Sequence, residues 1–141
     1  MIQYWVNVLP KDIVQQCKQG HFIQSANGKE VSLKRMGKGD KVLFYSPKDT
    51  AMGQKCQSFT SVGTIVDDKM YQADLAQGNK PYRRDIIFEK AKDVSIIPLI
   101  QQLEFIRSKS RWGEMFRLDL IQINADDFRF VSTLMQQHKM G

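Results

Sequence analysis

The sequence predicts one α+β domain over residues 1–141, a mixed β-barrel of about five to seven strands flanked by helices. Short segments rich in β-branched and aromatic residues recur along the chain and are separated by turn residues. Helical periodicity is limited to one segment near the N-terminus and to the last third of the chain. Apolar residues make up 42 % of the chain, which suits one hydrophobic core at this length.

The first residues alternate with the period of a strand. One face carries Ile2, Tyr4, Val6 and Val8, and the other carries Gln3, Trp5 and Asn7. Pro10 ends this strand, and a helix is predicted over residues 11–19 with Gly20 as its C-terminal cap. Weak strands are predicted over residues 22–24 and 30–33, on either side of a turn at 26–28.

The middle of the chain predicts central strands. A turn at residues 36–40 leads into the apolar run 41–46, predicted as a strand that is buried on both faces and ended by Pro47. After a polar loop over 48–57, the β-rich segment 58–66 is predicted to form a hairpin with a short strand around Met70 and Tyr71. A further loop over 74–80 precedes a strand over 81–89.

The C-terminal third predicts more helix. Pro98 suits the first turn of a helix that carries Leu99, Ile100 and Leu103. Residues 108–116 form an irregular segment, and residues 118–123 predict a last strand. Asn124 is a preferred N-cap for a final helix whose apolar stripe contains Phe128, Val131, Leu134 and Met135.

Charge and composition limit the class of protein. The net charge of +6 favours a polyanionic partner. No run of residues approaches the ~20 apolar residues that cross a bilayer, and the N-terminus lacks the features of a signal peptide. Cys17 and Cys56 do not form a disulfide framework, so we expect a reducing, cytoplasmic location. The sequence leaves the oligomeric state open, and a monomer is the default expectation.

Residue types that carry catalysis or bind metals are scattered. Neither the cysteines nor His21 and His138 have the spacing of a metal site. Residues 37–40 match a phosphate-binding loop only in part and lack its Lys-Ser/Thr ending. The acidic pairs at 67–68 and 126–127 suit a hairpin turn and the first turn of a helix. We therefore expect no metal, no cofactor and no catalytic residues.

Aromatic and basic residues instead suggest a binding site for a nucleobase, which needs aromatic walls and polar edge contacts. Trp5 lies on the polar face of the first strand, and Trp112 follows two basic residues. Residues 82–84 place a tyrosine beside Arg83 and Arg84, whose guanidinium groups can bind phosphate or stack on a base. Each has a structural alternative: either indole can pack in the core, and the arginines can form salt bridges or keep an edge strand soluble.

Five segments in order resemble the EVE domain family, which belongs to the PUA-like group together with PUA, ASCH and YTH domains. They are Tyr4-Trp5-Val6-Asn7, residues 38–48, residues 59–63, Pro81-Tyr82-Arg83-Arg84 and residues 112–117. The resemblance implies a small PUA-like barrel without metal or catalytic apparatus. It also implies a base pocket with a basic and aromatic rim, formed by Trp5, Asn7, Ser46, Pro47, Phe59, Thr60, Arg83, Arg84, Trp112 and Arg117.

The chain departs from the family pattern at three places. Asn27 stands where relatives carry histidine, Arg111 precedes Trp112 where histidine is frequent, and residues 119–123 replace a Gly-Leu-x-Glu-Ile-like segment. A single edge group decides which base a pocket accepts, so these changes leave the ligand open.

The resulting hypothesis is a non-catalytic module that binds RNA or DNA and takes one modified base, flipped or single-stranded, into the pocket. Three alternatives remain at this point: a binder of a free nucleobase or nucleoside, an enzyme acting on RNA or nucleotides, and a protein–protein module.

Overall fold

A computed structural model describes residues 1–137, which form eight strands and three α-helices; His138 lies outside the described residues. The strands are β1 (Tyr4–Val8), β2 (Phe22–Ile23), β3 (Lys41–Lys48), β4 (Lys55–Ile65), β5 (Tyr71–Gln72), β6 (Tyr82–Phe88), β7 (Val94–Ser95) and β8 (Leu120–Ile123). The helices are α1 (Lys11–Gly20), α2 (Val31–Lys34) and α3 (Ala125–Gln136), and short 3₁₀ segments occupy Ala76–Gly78, Ile97–Gln102 and Trp112–Arg117.

The strands form one mixed sheet in the order β2-β6-β4-β3-β1-β8, with β5 paired to β6 and β7 paired to β4. The β1–β3 pair is parallel, and the other pairs among the described residues are antiparallel. The sheet curls into a half-barrel with helices at its faces, which confirms the predicted fold class.

Both faces of the sheet are buried. A first core lies on the α3 face and includes Val6, Tyr45 and Phe59, and a second core lies on the α1 and α2 face and includes Trp5 and Phe44. A strand covered on both sides has no solvent face, so alternation along β1 separates two cores and not a core from water.

Two local predictions in the N-terminal half are wrong. Residues 30–33 were expected to form a strand, but the Lys34 amide donates to the Glu30 carbonyl at 3.0 Å, and α2 forms there as a single helical turn. Gly20 is the last residue of α1 and not its left-handed cap, which is His21 with φ 57°. Glycine is needed at position 20 because a Cβ there would lie 2.3 Å from the ring of Phe22.

Several strand and helix limits also differ. β3 continues through Pro47, and the predicted hairpin of β4 with residues near Met70 is wrong, since β5 pairs with β6. The helix predicted at Pro98 is a 3₁₀ segment, Ile97–Gln102, and β7 was not predicted. The N-cap prediction is confirmed, since Asn124 Oδ1 accepts a 2.7 Å hydrogen bond from the amide of Asp127.

Candidate functional site

A cleft opens where β1 and β3 end. Because these strands are parallel, their carboxyl ends meet at the same edge of the sheet, a common location for ligand sites. The cleft, called here the β1–β3 cleft, has a volume of about 230 Å³. Its lining residues are Val8, Leu9, Pro10, Ala26, Pro47, Lys48, Thr50 and Ala51.

Polar side chains are buried on the sheet face next to this cleft. Asn7 pairs with Phe44, and Phe44 pairs with Ser61, so the three side chains form one row across β1, β3 and β4. Asn7 is 0 % exposed, and neither its amide oxygen nor its amide nitrogen has a hydrogen-bond partner among the described residues. The Ser61 hydroxyl has none either. Most buried polar groups are paired, so this row is unusual.

Two further predicted residues lie beside that row. Ser46 and Thr60 are buried, and their hydroxyl oxygens are 2.8 Å apart in a hydrogen bond. Asn7 and Leu9 point to the same side of the chain by the two-residue period of a strand, and Leu9 lines the cleft. The unpaired amide of Asn7 is therefore one step deeper in the sheet than the cleft wall.

Trp5 lies in the second core and not at a cleft wall. Its side chain is 2 % exposed, and its indole Nε1 donates a 2.9 Å hydrogen bond to Oδ2 of Asp40. The guanidinium carbon of Arg35 is 5.0 Å from the centre of the ring. Trp5 therefore packs in the core, which is the structural alternative given for it from the sequence, and it does not line the β1–β3 cleft.

A second cleft lies on the other side of Pro47. This cleft, called here the Trp112 cleft, has a volume of about 240 Å³ and is lined by Tyr45, Pro47, Lys48, Lys55, Gln57, Trp112, Gly113 and Phe116. The rings of Tyr45 and Phe116 stack at 4.0 Å and form its apolar base. Trp112 is half-buried, with its ring 6.3 Å from that of Phe116. Pro47 and Lys48 line both clefts.

The predicted arginines occupy three different settings. The Arg84 guanidinium is 3 % exposed and donates to the backbone carbonyls of Leu33, Met36 and Asp67, so it joins β6 to α2 and to the turn after β4. Burial lowers the pKa of Arg84 from its ordinary value, and nearby aspartates oppose that shift. Arg83 is half-buried and lies 3.7 Å over the ring of Phe22. Arg117 is exposed at the end of its 3₁₀ segment.

The ten predicted residues thus divide into groups. Asn7, Ser46 and Thr60 lie together beside the β1–β3 cleft, and Pro47 and Trp112 line the Trp112 cleft. Phe59 is fully buried in the first core, on the opposite face of the sheet from Ser61, because a bulge at Phe44/Tyr45 changes the alternation. Sequence reasoning missed Ser61, although a serine in a β-rich run next to Phe59 and Thr60 was a signal for it.

Lys48, Lys55 and Gln57 were also missed, because they fall in the segment predicted as a polar loop.

Within residues 1–137, no group of three histidine, cysteine or acidic side chains is placed to hold a metal ion. No helix in that same part of the chain has the length and apolar character needed to cross a membrane.

Comparison with known proteins identifies one family by sequence. The sequence profile of the EVE domain matches residues 3–134 of the chain. The UPF0310 protein of Mycolicibacterium vanbaalenii is 36 % identical over 132 residues, which cover 93 % of this chain and 91 % of the relative.

Two solved structures share the fold at low sequence identity. The YTH domain of the Zygosaccharomyces rouxii MRB1 protein, solved in complex with N6-methyladenosine RNA, has a TM-score of 0.64 and 14 % identity, covering 99 % of this chain and 88 % of the YTH chain. Human THYN1, solved in complex with 5-methylcytosine-containing DNA, has a TM-score of 0.51 and 14 % identity, covering 97 % of this chain and 99 % of THYN1.

Proposed function

The chain belongs to the EVE domain family, and from that membership we propose that it is a non-catalytic module that binds nucleic acid and holds one modified base in the β1–β3 cleft. Two proteins of the same fold support the proposal, since one was solved with N6-methyladenosine RNA and the other with 5-methylcytosine-containing DNA. The net charge of +6 supports it as well, because phosphate contacts dominate the affinity of nucleic-acid binding.

One observation carries the proposal: the buried and unpaired side-chain amide of Asn7. An asparagine amide offers one acceptor oxygen and two donor hydrogens, which match the mixed edge of a base. An unpaired buried polar group costs about 1–3 kcal/mol, a cost that binding of a base edge recovers. The cleft volume of about 230 Å³ is large enough for one base.

The proposed binding mode has two parts. Lysines and arginines attract the phosphate backbone, and one base leaves its stack and enters the cleft, whose wall opens so that the buried Asn7 amide reads the base edge. Ser46 and Thr60 hydrogen-bond to each other, and the Asn7 amide remains free for a base. Trp5 takes a structural part, since it packs in the second core and its hydrogen bond to Asp40 joins β1 to the turn before β3.

The experiment is a binding titration at two salt concentrations with single-stranded RNA and DNA oligonucleotides that carry plain or methylated bases. We expect one modified base to bind more tightly than its unmodified counterpart, and affinity to fall with salt at a slope of roughly −0.7 per phosphate contact. Asn7→Leu should remove the preference between the two bases. Asn79→Leu, the same change at an exposed loop position, is the matched control and should keep it.

The small volume of the cleft also favours a second function, binding of a free nucleoside. In that case a nucleoside binds as tightly as an oligonucleotide, and its affinity does not depend on salt. Equal affinity for all bases, with Asn7→Leu indistinguishable from Asn79→Leu, would contradict both functions.

A further inference from the structure

We infer that the Trp112 cleft is a second nucleotide subsite, which takes the neighbour of the bound base and makes the ligand a strand and not a free nucleoside. The inference rests on the proposed function, because it places this nucleotide beside a base held in the β1–β3 cleft. The family resemblance places Pro47 and Trp112 in a single base pocket, whereas this inference assigns their cleft to a second nucleotide.

The two clefts are contiguous. Pro47 and Lys48 line both of them, so a chain that leaves the β1–β3 cleft passes directly over these two residues into the Trp112 cleft. Two strand residues span roughly 7 Å along β3. A base in one cleft and its neighbour in the other therefore need only a short connection across Pro47.

The mouth of the Trp112 cleft has the charge that a phosphate requires. Lys48 and Lys55 are directly opposite each other in the β3–β4 pair and are both exposed. Like charges in that position repel, and a bridging anion relieves the repulsion. Within residues 1–137, neither ammonium group has a carboxylate oxygen within 4.0 Å, and none of the residues that line the cleft is acidic.

The interior has the surface that a base requires. Trp112 is half-buried and lines the cleft, and the space around the position of a Cβ on Gly113 is open to at least 4 Å. The stacked pair of Tyr45 and Phe116 supplies the apolar base of the cleft. Stacking on aromatic side chains tolerates any base, so this subsite adds affinity without sequence preference.

The backbone of β4 is distorted at this point. Cys56 and Gln57 together stand opposite Pro47, which makes a β-bulge, and Gln57 has φ 48°, in the left-handed region. A bulge re-aims a side chain, and strained left-handed geometry at a residue other than glycine is concentrated at functional sites. Gln57 lines the cleft, where its amide can bond to the edge of a base.

The test compares a nucleoside with a pentanucleotide that carries the same base at its centre. The probes are N6-methyladenosine with an RNA pentamer, and 5-methyl-2′-deoxycytidine with a DNA pentamer. For each protein, the ratio of the two dissociation constants measures the gain from the polymer. Lys55→Gln is the variant, because Lys55 is exposed and lines the Trp112 cleft but not the β1–β3 cleft. Lys38→Gln, at an exposed lysine before the other end of β3, is the matched control.

We expect Lys55→Gln to lower the polymer gain by about fivefold or more and to reduce the salt slope by about 0.7, with nucleoside affinity unchanged. Lys38→Gln should leave the gain unchanged. Pentamer binding should quench tryptophan fluorescence in the wild type, and this quenching should be absent in Trp112→Phe.

The outcomes separate the inference from the proposed function. If a nucleoside binds as well as its pentamer, or if Lys55→Gln matches Lys38→Gln, the second subsite is wrong while the base pocket stands. If pentamers bind and depend on Lys55 but no nucleoside binds, the base pocket is wrong, and the Trp112 cleft is a nucleotide site of its own and not the neighbour of a bound base. If no probe binds the wild type, both are wrong.

Discussion

The indole Nε1 of Trp5 donates a 2.9 Å hydrogen bond to Oδ2 of Asp40, which joins the first strand to the turn before β3. The same carboxylate accepts hydrogen bonds from the amides of Gln3 and Gly37 at 2.9 Å and 2.8 Å. Asp40 is buried, so all three donors depend on it for a partner.

We predict that Asp40→Ala lowers the free energy of unfolding by about 3 kcal/mol or more, since it leaves three donors without a partner at about 1–3 kcal/mol each. Trp5→Phe removes one of these bonds and should cost less. Urea denaturation measures both values. A loss below about 1 kcal/mol for Asp40→Ala would show that the three bonds contribute little.

Asn7→Leu should raise the free energy of unfolding by about 1–3 kcal/mol, because leucine has a similar size and removes an unpaired amide from the interior. The gain in stability would accompany loss of base binding, a common trade-off at functional positions. Thermal or urea denaturation of the variant checks the sign. A destabilised Asn7→Leu protein would mean that the amide is satisfied in solution.

Arg84→Met should destabilise the protein by about 3 kcal/mol or more, because three backbone carbonyls lose a donor. We expect no change in the salt slope of oligonucleotide binding, since a guanidinium that is 3 % exposed does not reach a phosphate in solvent. Denaturation and titrations at several salt concentrations measure the two effects. A salt slope reduced by about 0.7, with stability retained, would instead make Arg84 a phosphate contact.

Gln57→Gly should stabilise the fold by about 1 kcal/mol, because glycine adopts the left-handed conformation of this bulge without strain. The substitution should also lower the polymer gain, which is the ratio of the nucleoside and pentamer dissociation constants, since the amide in the Trp112 cleft is lost. Denaturation and the nucleoside-to-pentamer ratio report the two changes independently. Lower stability would show that the Gln57 side chain contributes more than the strain costs.

The stability of the protein should fall with rising pH above about 9. Burial raises the pKa of the Cys17 thiol from 9.0 to about 12, so the folded state keeps a proton that the unfolded state has lost. This stabilisation is fully present below pH 9 and is lost as the pH rises toward 12. Burial also raises the pKa of Tyr45, which acts in the same direction.

Urea denaturation between pH 8 and pH 11 measures this dependence. Cys17→Ala should flatten it, whatever the substitution does to stability at pH 8. An identical slope in the wild type and in Cys17→Ala would assign the dependence to Tyr45 and other groups.

The sequence predicted the fold class correctly but not which faces of the sheet are exposed to solvent. Alternation along residues 2–8 correctly grouped Trp5 with Asn7, but that face was interpreted as the outer one. In the structure β1 is a central strand between β3 and β8, and a core covers each face. Alternation reports which residues share a face, and the neighbours that cover each face depend on long-range pairing.

The clefts depend on features that short sequence patterns do not contain. Pro47 was expected to end its strand, yet the bulge opposite it lets the strand continue to Lys48 and pair with Lys55. The role of Arg84 was equally hidden, because its partners are backbone carbonyls from two segments that are distant in sequence. Asn7, Ser46 and Thr60 were found through the family resemblance, and their grouping agrees with the strand register.

The position of β1 has a consequence for how the chain folds. Tyr4 pairs with Ile123 on one side, and the other partner of β1 is also distant in sequence, at residues 41–45. During synthesis the first strand therefore emerges without either neighbour and waits for nearly the whole chain before the sheet closes around it. Such high contact order is typical of folding in milliseconds to seconds, and a chain shortened before residue 120 would leave an apolar β edge open to aggregation.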